Sequence, residues 1–209
     1  MNIIYLLFHG LSPYSGISKK ILYQVKGLEA CGHQVSLCTY CIADNSHRVR
    51  MINGEIIADY GTGKLAAARK RVSYHCIYHY AVAHRVELIY VRSFHNANPF
   101  TIRLFSKLRK AGIKIAMEIP TYPYDSEYAG FPLVTRLGIQ VDKVFRKTLA
   151  KHVNAIVTFS DYHCIFGQRT IQISNGVDFD SIPLKKTVSK NTSVIHLLGM
   201  AEVHYWHGY

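Results

Sequence analysis

Three polar clusters, each following an apolar run, carry residue types that chemistry needs. The first is the stretch 9–16, rich in small and turn residues, in which Ser15 and Gly16 open onto a helix. Such a loop offers free backbone N–H groups to an anion at a helix N-terminus. The second runs from Arg92 to His95, with Arg92 suited to clamp a phosphate or carboxylate. The third spans residues 118–125, with Glu118 as an acid or base and Thr121 and Tyr122 beyond it. Each has a plainer reading: an ordinary strand-to-helix turn, a surface ion pair, a capped strand end. In open α/β sheets, however, ligands bind outside the carboxyl ends of the strands, and three such ends converge on one crevice.

The elements that must position these clusters follow from hydrophobic periodicity. Residues 3–8 are continuously apolar, as in a parallel strand covered on both faces. A helix from about Ser18 carries Ile17, Ile21, Val25 and Leu28 at helical spacing and stops at Gly32, and residues 35–40 form the next strand. Asn53-Gly54 marks a hairpin between residues 48–52 and 55–60. Residues 65–85 have helical composition without a breaker. The unit then repeats: a strand at 88–91, a helix from Pro99, a strand at 113–119, and a long helix over 132–151 with Leu137, Val141, Val144, Phe145 and Leu149 as its apolar stripe. Strands at 155–159 and 171–173 complete the set, and Asn175-Gly176 reads as a turn. This alternation predicts an α/β fold, a Rossmann-like doubly wound parallel sheet. The expected organisation is a domain over 1–180, a polar linker over 181–193, and a new strand opening a second domain over 194–209.

Bulk properties narrow the class. The chain has 209 residues, is 49% hydrophobic and 18% charged, and carries a formal net charge of +12. That is a globular profile with a surface that favours phosphates, anionic lipid or nucleic acid. No apolar run approaches the roughly 20 residues that span a bilayer, and the N-terminus lacks a signal-peptide pattern. Five cysteines without regular spacing, including Cys38 and Cys41, read as reduced thiols, and the histidine pairs His75/His79 and His204/His207 give no ground to assign a metal. There is no G-x-G-x-x-G after the first strand, and Gly61-Thr62-Gly63-Lys64 only mimics the end of a P-loop. Arg136, Lys143, Lys147 and Lys151 make a basic stripe on the long helix. Its default reading is a solvated face; contact with an anionic membrane is the alternative. The Lys/Arg and Tyr residues between 64 and 80 lack a nucleic-acid-binding motif.

In order and spacing the chain resembles the N-terminal half of the GT-B glycosyltransferases of family 4. The matching features are the Gly-containing loop at Ser15-Gly16; Gly32-His33-Gln34-Val35, similar to the family's G-H-x-V; the strand 155–160 followed by Asn175-Gly176-Val177-Asp178, similar to P-N-G-V-D; and a strand at 194–199 followed by His207-Gly208, where the family has Lys-Gly. The resemblance implies a cytoplasmic retaining hexosyltransferase, peripheral at the inner face of the membrane, that builds a bacterial cell-surface polysaccharide or glycolipid. It implies an N-terminal domain binding a sugar or lipid-linked sugar acceptor through Ser15, Gly16, Arg92, His95, Thr121 and Tyr122, with Glu118 as the catalytic candidate. It also implies a donor side reached by Asn175, Gly176, Gly199 and His207. The donor would be a nucleoside-diphosphate sugar, with no tightly bound cofactor and no metal. The family's E-x7-E motif is expected beyond Tyr209, so the donor half is nearly all missing and these residues alone are expected not to catalyse transfer. Met200 follows Gly199 where the family commonly has Arg, and His207 replaces the Lys; those cations normally stabilise the leaving diphosphate. A stand-alone module binding a phosphorylated or anionic ligand is the alternative reading.

Overall fold

A computed structural model describes residues 1–93, 95–125 and 133–183. The chain folds in the order β1 (Asn2–Leu6), α1 (Gly16–Ala30), β2 (Gln34–Ile42), β3 (Arg48–Ile52), β4 (Glu55–Asp59), α2 (Gly63–Val72), α3 (His75–Ala83), β5 (Leu88–Arg92), α4 (Pro99–Lys110), β6 (Lys114–Ile119), α5 (Leu133–Ala150), β7 (Ala155–Thr158), β8 (Cys164–Ile165) and β9 (Gln168–Gln172). The nine strands form one sheet in the order β4-β3-β2-β1-β5-β6-β7-β9-β8. Strands β2, β1, β5, β6, β7 and β9 pair in parallel; the β3–β4 hairpin and β8 add antiparallel edges. This is a mostly parallel, Rossmann-like α/β sheet flanked by helices.

Alternation along the buried strands sends side chains to two cores. On one face Tyr5 and Leu7 of the β1 region pack against Ile21 and Val25 of α1. On the other, Ile4 and Leu6 join Ile77, Ile89, Phe105, Leu108, Ile115 and Leu149 in the larger core. Because β1 is followed by β2 on one side and β5 lies on its other side, the chain reverses its winding direction between β1 and β5. That is the topological switch point, where the strand-end loops diverge and leave a crevice.

Several elements depart from the sequence reading. The segment expected as one helix over 65–85 breaks into α2 and α3 at Ser73 and Tyr74. Tyr74 is pulled inward, 6% exposed, and meets Phe8 edge-on at 5.6 Å, while the Ser73 carbonyl accepts a bond from the Tyr60 hydroxyl at 3.1 Å. On α5 the expected apolar stripe divides: Leu149 is buried in the larger core and Phe145 packs against it, whereas Leu137, Val141 and Val144 are turned outward, 66%, 44% and 69% exposed. Ile139, Asp142 and Ala150 are buried alongside Leu149. The hairpin forms as expected, with Asn53 at φ 49° and Gly54 at φ 89°, the left-handed values that suit its twist. Asn175 and Gly176, by contrast, take no positive φ and pass through irregular, exposed chain. The strand expected at 194–198, with Gly199 and His207, lies outside the described residues, as does nearly all of the linker over 181–193.

Candidate functional site

The crevice at the switch point holds a cavity of about 610 Å³. Its first wall is the β1–α1 loop, contributing His9, Gly10, Ser12, Ser15 and Gly16, and continues onto α1 with Ile17, Ser18 and Lys20. Arg92, Ser93 and His95 enter from the end of β5, and Ile119, Pro120, Thr121 and Tyr124 from the end of β6.

The loop is fixed by its small polar residues. The Ser15 amide donates to the Ser12 carbonyl at 3.1 Å, closing a turn that sets Ser15 as the cap of α1. Ser15 Oγ accepts from the Ser18 amide at 3.4 Å, and Ser18 Oγ accepts from the Ser12 amide at 2.9 Å. Gly10 is required by close approach: a Cβ there would lie 2.9 Å from the backbone oxygen of Tyr40. His9 Nδ1–H donates to the Gly10 carbonyl at 2.7 Å, an acceptor-only partner that fixes the imidazole tautomer.

Beneath the cavity lies a buried polar network. Arg92 and Glu118 are direct neighbours across the parallel β5–β6 pair, so their side chains share a face. Arg92 Nη1 donates to Glu118 Oε1, while Glu118 Oε2 accepts from the Tyr90 hydroxyl at 2.7 Å and from Gln24 Nε2 at 2.9 Å. The Tyr5 hydroxyl in turn donates to Gln24 Oε1 at 2.6 Å. Burial, reinforced by the Glu118 charge, raises the pKa values of the Tyr5 and Tyr90 phenols, keeping both neutral. Glu118 is 0% exposed and does not line the cavity, whereas Arg92 is 6% exposed and does. The carboxylate thus neutralises and orients the guanidinium under the cavity floor.

The ion pairs among the described residues include none to Lys20. Its ammonium sits 3.4 Å from the centroid of the Phe159 ring, a cation–π contact. Burial lowers its pKa, against a smaller opposing pull from the Glu118 charge. His9 and His95 are likewise held below the ordinary imidazole value by burial, so both are neutral near pH 7. His95 takes φ 45°, a left-handed conformation uncommon outside glycine, and stacks edge-to-face on Tyr124 at 4.9 Å. Tyr124 is fixed from α5, donating to Asp142 at 3.3 Å, and Asp142 also accepts from the Ala97 amide at 2.9 Å.

The structure therefore brings Ser15, Gly16, Arg92, His95 and Thr121 to one cavity and places Glu118 below it. Tyr122 belongs instead to an aromatic cluster, 4.9 Å from Tyr162 and 5.5 Å from Phe166. Asn175 and Gly176 do not line the cavity. The chain beyond them is tied to α1, where Lys26 Nζ binds both Asp178 oxygens at 2.9 and 2.8 Å. Lys20, Gln24 and Tyr124 are members of the site that motif reading missed. Helical spacing was the available signal, since Lys20 and Gln24 follow Gly16 at successive turns on one face of α1.

No family model, curated protein or solved structure matches the chain. The functional reading therefore rests on the residues themselves and on the cavity they build. That cavity offers hydroxyls from Ser12 and Thr121, two neutral imidazoles, apolar contact from Ile17 and Ile119, and one surplus positive charge. Among the described residues no three His, Cys, Asp or Glu side chains gather as a metal site, and no helix is long and apolar enough to cross a membrane.

Proposed function

We propose that this chain is the acceptor-binding domain of a sugar-nucleotide-dependent retaining glycosyltransferase, taking a sugar or lipid-linked sugar in the switch-point cavity. The observation that carries the reading is the convergence of three strand-end loops on one hydroxyl- and imidazole-lined space, joined to the ordered motifs from Ser15-Gly16 to Asn175-Gly176-Val177-Asp178. In this reading Thr121, Ser12 and His95 hydrogen-bond acceptor hydroxyls, and Ile17 and Ile119 pack on the sugar's apolar face. His9 and His95, being neutral, can each accept a proton from an attacking hydroxyl. Arg92, neutralised and oriented by Glu118, offers fixed N–H donors at the cavity floor. The nucleotide sugar would be held by the family's second domain.

A second reading is favoured by one observation, the ammonium of Lys20 beside the N-terminus of α1: a module that binds a phosphorylated or anionic ligand. Saturation-transfer NMR with octyl β-D-glucoside separates the two. Transfer to the sugar protons, reduced by narrowing the mouth with Thr121→Trp, is the expected result. Absence of transfer to the glycoside overturns the acceptor reading, and titration of backbone amides around Gly16 by inorganic phosphate alone would install the second.

A further inference from the structure

Helix α5 bears an apolar ridge on its outer side. Leu133, Leu137, Val141 and Val144 are 73%, 66%, 44% and 69% exposed, although helices of this fold normally turn such residues inward. At about 100° per residue these four positions fall within about 80° of the helix circumference, a continuous ridge about 17 Å long. The helix is anchored without them: Leu149 and Ala150 join the larger core, Phe145 packs against it, Asp142 is bonded by Ala97 and Tyr124, and α5 packs on α4.

The flank of this ridge is basic. Arg136 and Lys147 project beside it, and Lys151 follows at its far end, all three exposed. The ion pairs among the described residues leave these three without an acidic partner; Lys143, further round, pairs with Asp125 at 3.6 Å. The single acidic residue of α5, Asp142, is buried on the opposite side. The exposed surface of the helix is therefore aliphatic and positive, within a chain of net charge +12.

We infer that α5 docks this protein onto an anionic lipid bilayer, with the Leu/Val ridge entering the headgroup boundary and Arg136, Lys147 and Lys151 lying over the lipid phosphates. The composition decides against a protein partner as occupant. Protein interfaces are enriched in aromatic residues and depleted of Lys, whereas this ridge is Leu and Val without an aromatic and two of its three flanking cations are Lys. A flat helix face with aliphatic residues and adjacent cations is what an interfacial helix presents to acidic headgroups. The placement also fits the fold. As the crossover between parallel strands β6 and β7, α5 begins at the sheet end that carries the cavity, so Leu133 lies at the cavity end of the helix. The inference stands whether or not the cavity binds a glycosyl acceptor.

Sedimentation with vesicles tests it. The protein is expected to co-sediment with phosphatidylcholine vesicles containing phosphatidylglycerol, far less with phosphatidylcholine alone, and less as salt rises. Leu137→Asp/Val144→Asp is expected to reduce partitioning at least about tenfold. Arg136→Gln/Lys147→Gln is expected to reduce it about fivefold per cation removed. Equal binding of wild type and the Asp variant, or no binding to anionic vesicles, overturns the inference. A melting temperature of the Asp variant well below wild type would show the ridge covered by the chain itself. Ridge-dependent self-association in light scattering without vesicle binding would assign the face to a second copy. Either result also overturns it.

Discussion

Replacing Glu118 by Gln separates a carboxylate that holds the site together from one that acts on a substrate. Glu118 is 0% exposed and Arg92 6%, so the pair is shielded from water and from salt. The Gln amide oxygen can still accept from Tyr90 and Gln24, but its NH2 then confronts the Arg92 guanidinium, donor against donor. Arg92 keeps its charge with no counter-charge in contact. Removing one partner of a buried pair costs about 3–5 kcal/mol. At about 2–4 °C per kcal/mol for a domain of this length, Glu118→Gln is expected to lower the melting temperature by roughly 6–20 °C. Arg92→Met alone should cost a comparable amount, since it strands the carboxylate. The double variant Arg92→Met/Glu118→Gln removes both charges and should fall short of the sum of the singles by about 2 kcal/mol. Circular-dichroism melts and urea titrations of the four proteins complete the cycle. Additive effects, or a Glu118→Gln protein that melts with wild type, would refute the view that the pair acts as one buried unit.

Two further outcomes follow from the site. His9 and His95 are held neutral by burial, so the unfolded chain binds more protons than the folded one once pH drops below the ordinary imidazole value. Stability is therefore expected to be lost as pH falls through about 6.5, and urea midpoints of a His9→Gln/His95→Gln variant should show a shallower loss than wild type. Gly10→Ala forces a Cβ to within 2.9 Å of the Tyr40 carbonyl, a backbone atom that cannot swing away. A loss of about 1–3 kcal/mol in chemical denaturation is expected, and an unchanged midpoint would show that the loop yields freely.

The elements whose signals are local could be read from the chain. The apolar run of β1, the Asn53-Gly54 hairpin and Pro99 at the start of α4, capped by Asn98 through bonds of 2.9 and 3.0 Å, are each specified within a few residues. What escaped the sequence is tertiary. Nothing near Ser73 breaks a helix; the break arises because Tyr60, Phe8 and the core claim Tyr74 and the Ser73 carbonyl. Only Phe145 and Leu149 of the expected stripe on α5 face the core; a buried aspartate, satisfied by Ala97 and Tyr124, holds the inward position in place of Leu137. The convergence of Ser15, Gly16, Arg92, His95 and Thr121 was legible, since all lie at strand ends on one side of a parallel sheet. The burial of Glu118 was not, because it depends on Gln24 reaching across from α1. Lys20 lay hidden for the same reason.

The central place of β1 bears on how the chain is made. Its two edges are filled by β2 and by β5. The first partner follows almost at once, but Leu88 leaves the ribosome about 80 residues after Leu6, a wait of roughly 4–16 s at typical elongation rates. During that interval a strand apolar from Ile3 to Leu6 stands with one ladder of amides and carbonyls unpaired, beside a finished β2–β3–β4 meander. The site cannot exist in the nascent chain before then, because the switch point is created only when β5 closes against β1. The cavity is thus a late product of synthesis, although its first loop is among the earliest residues translated.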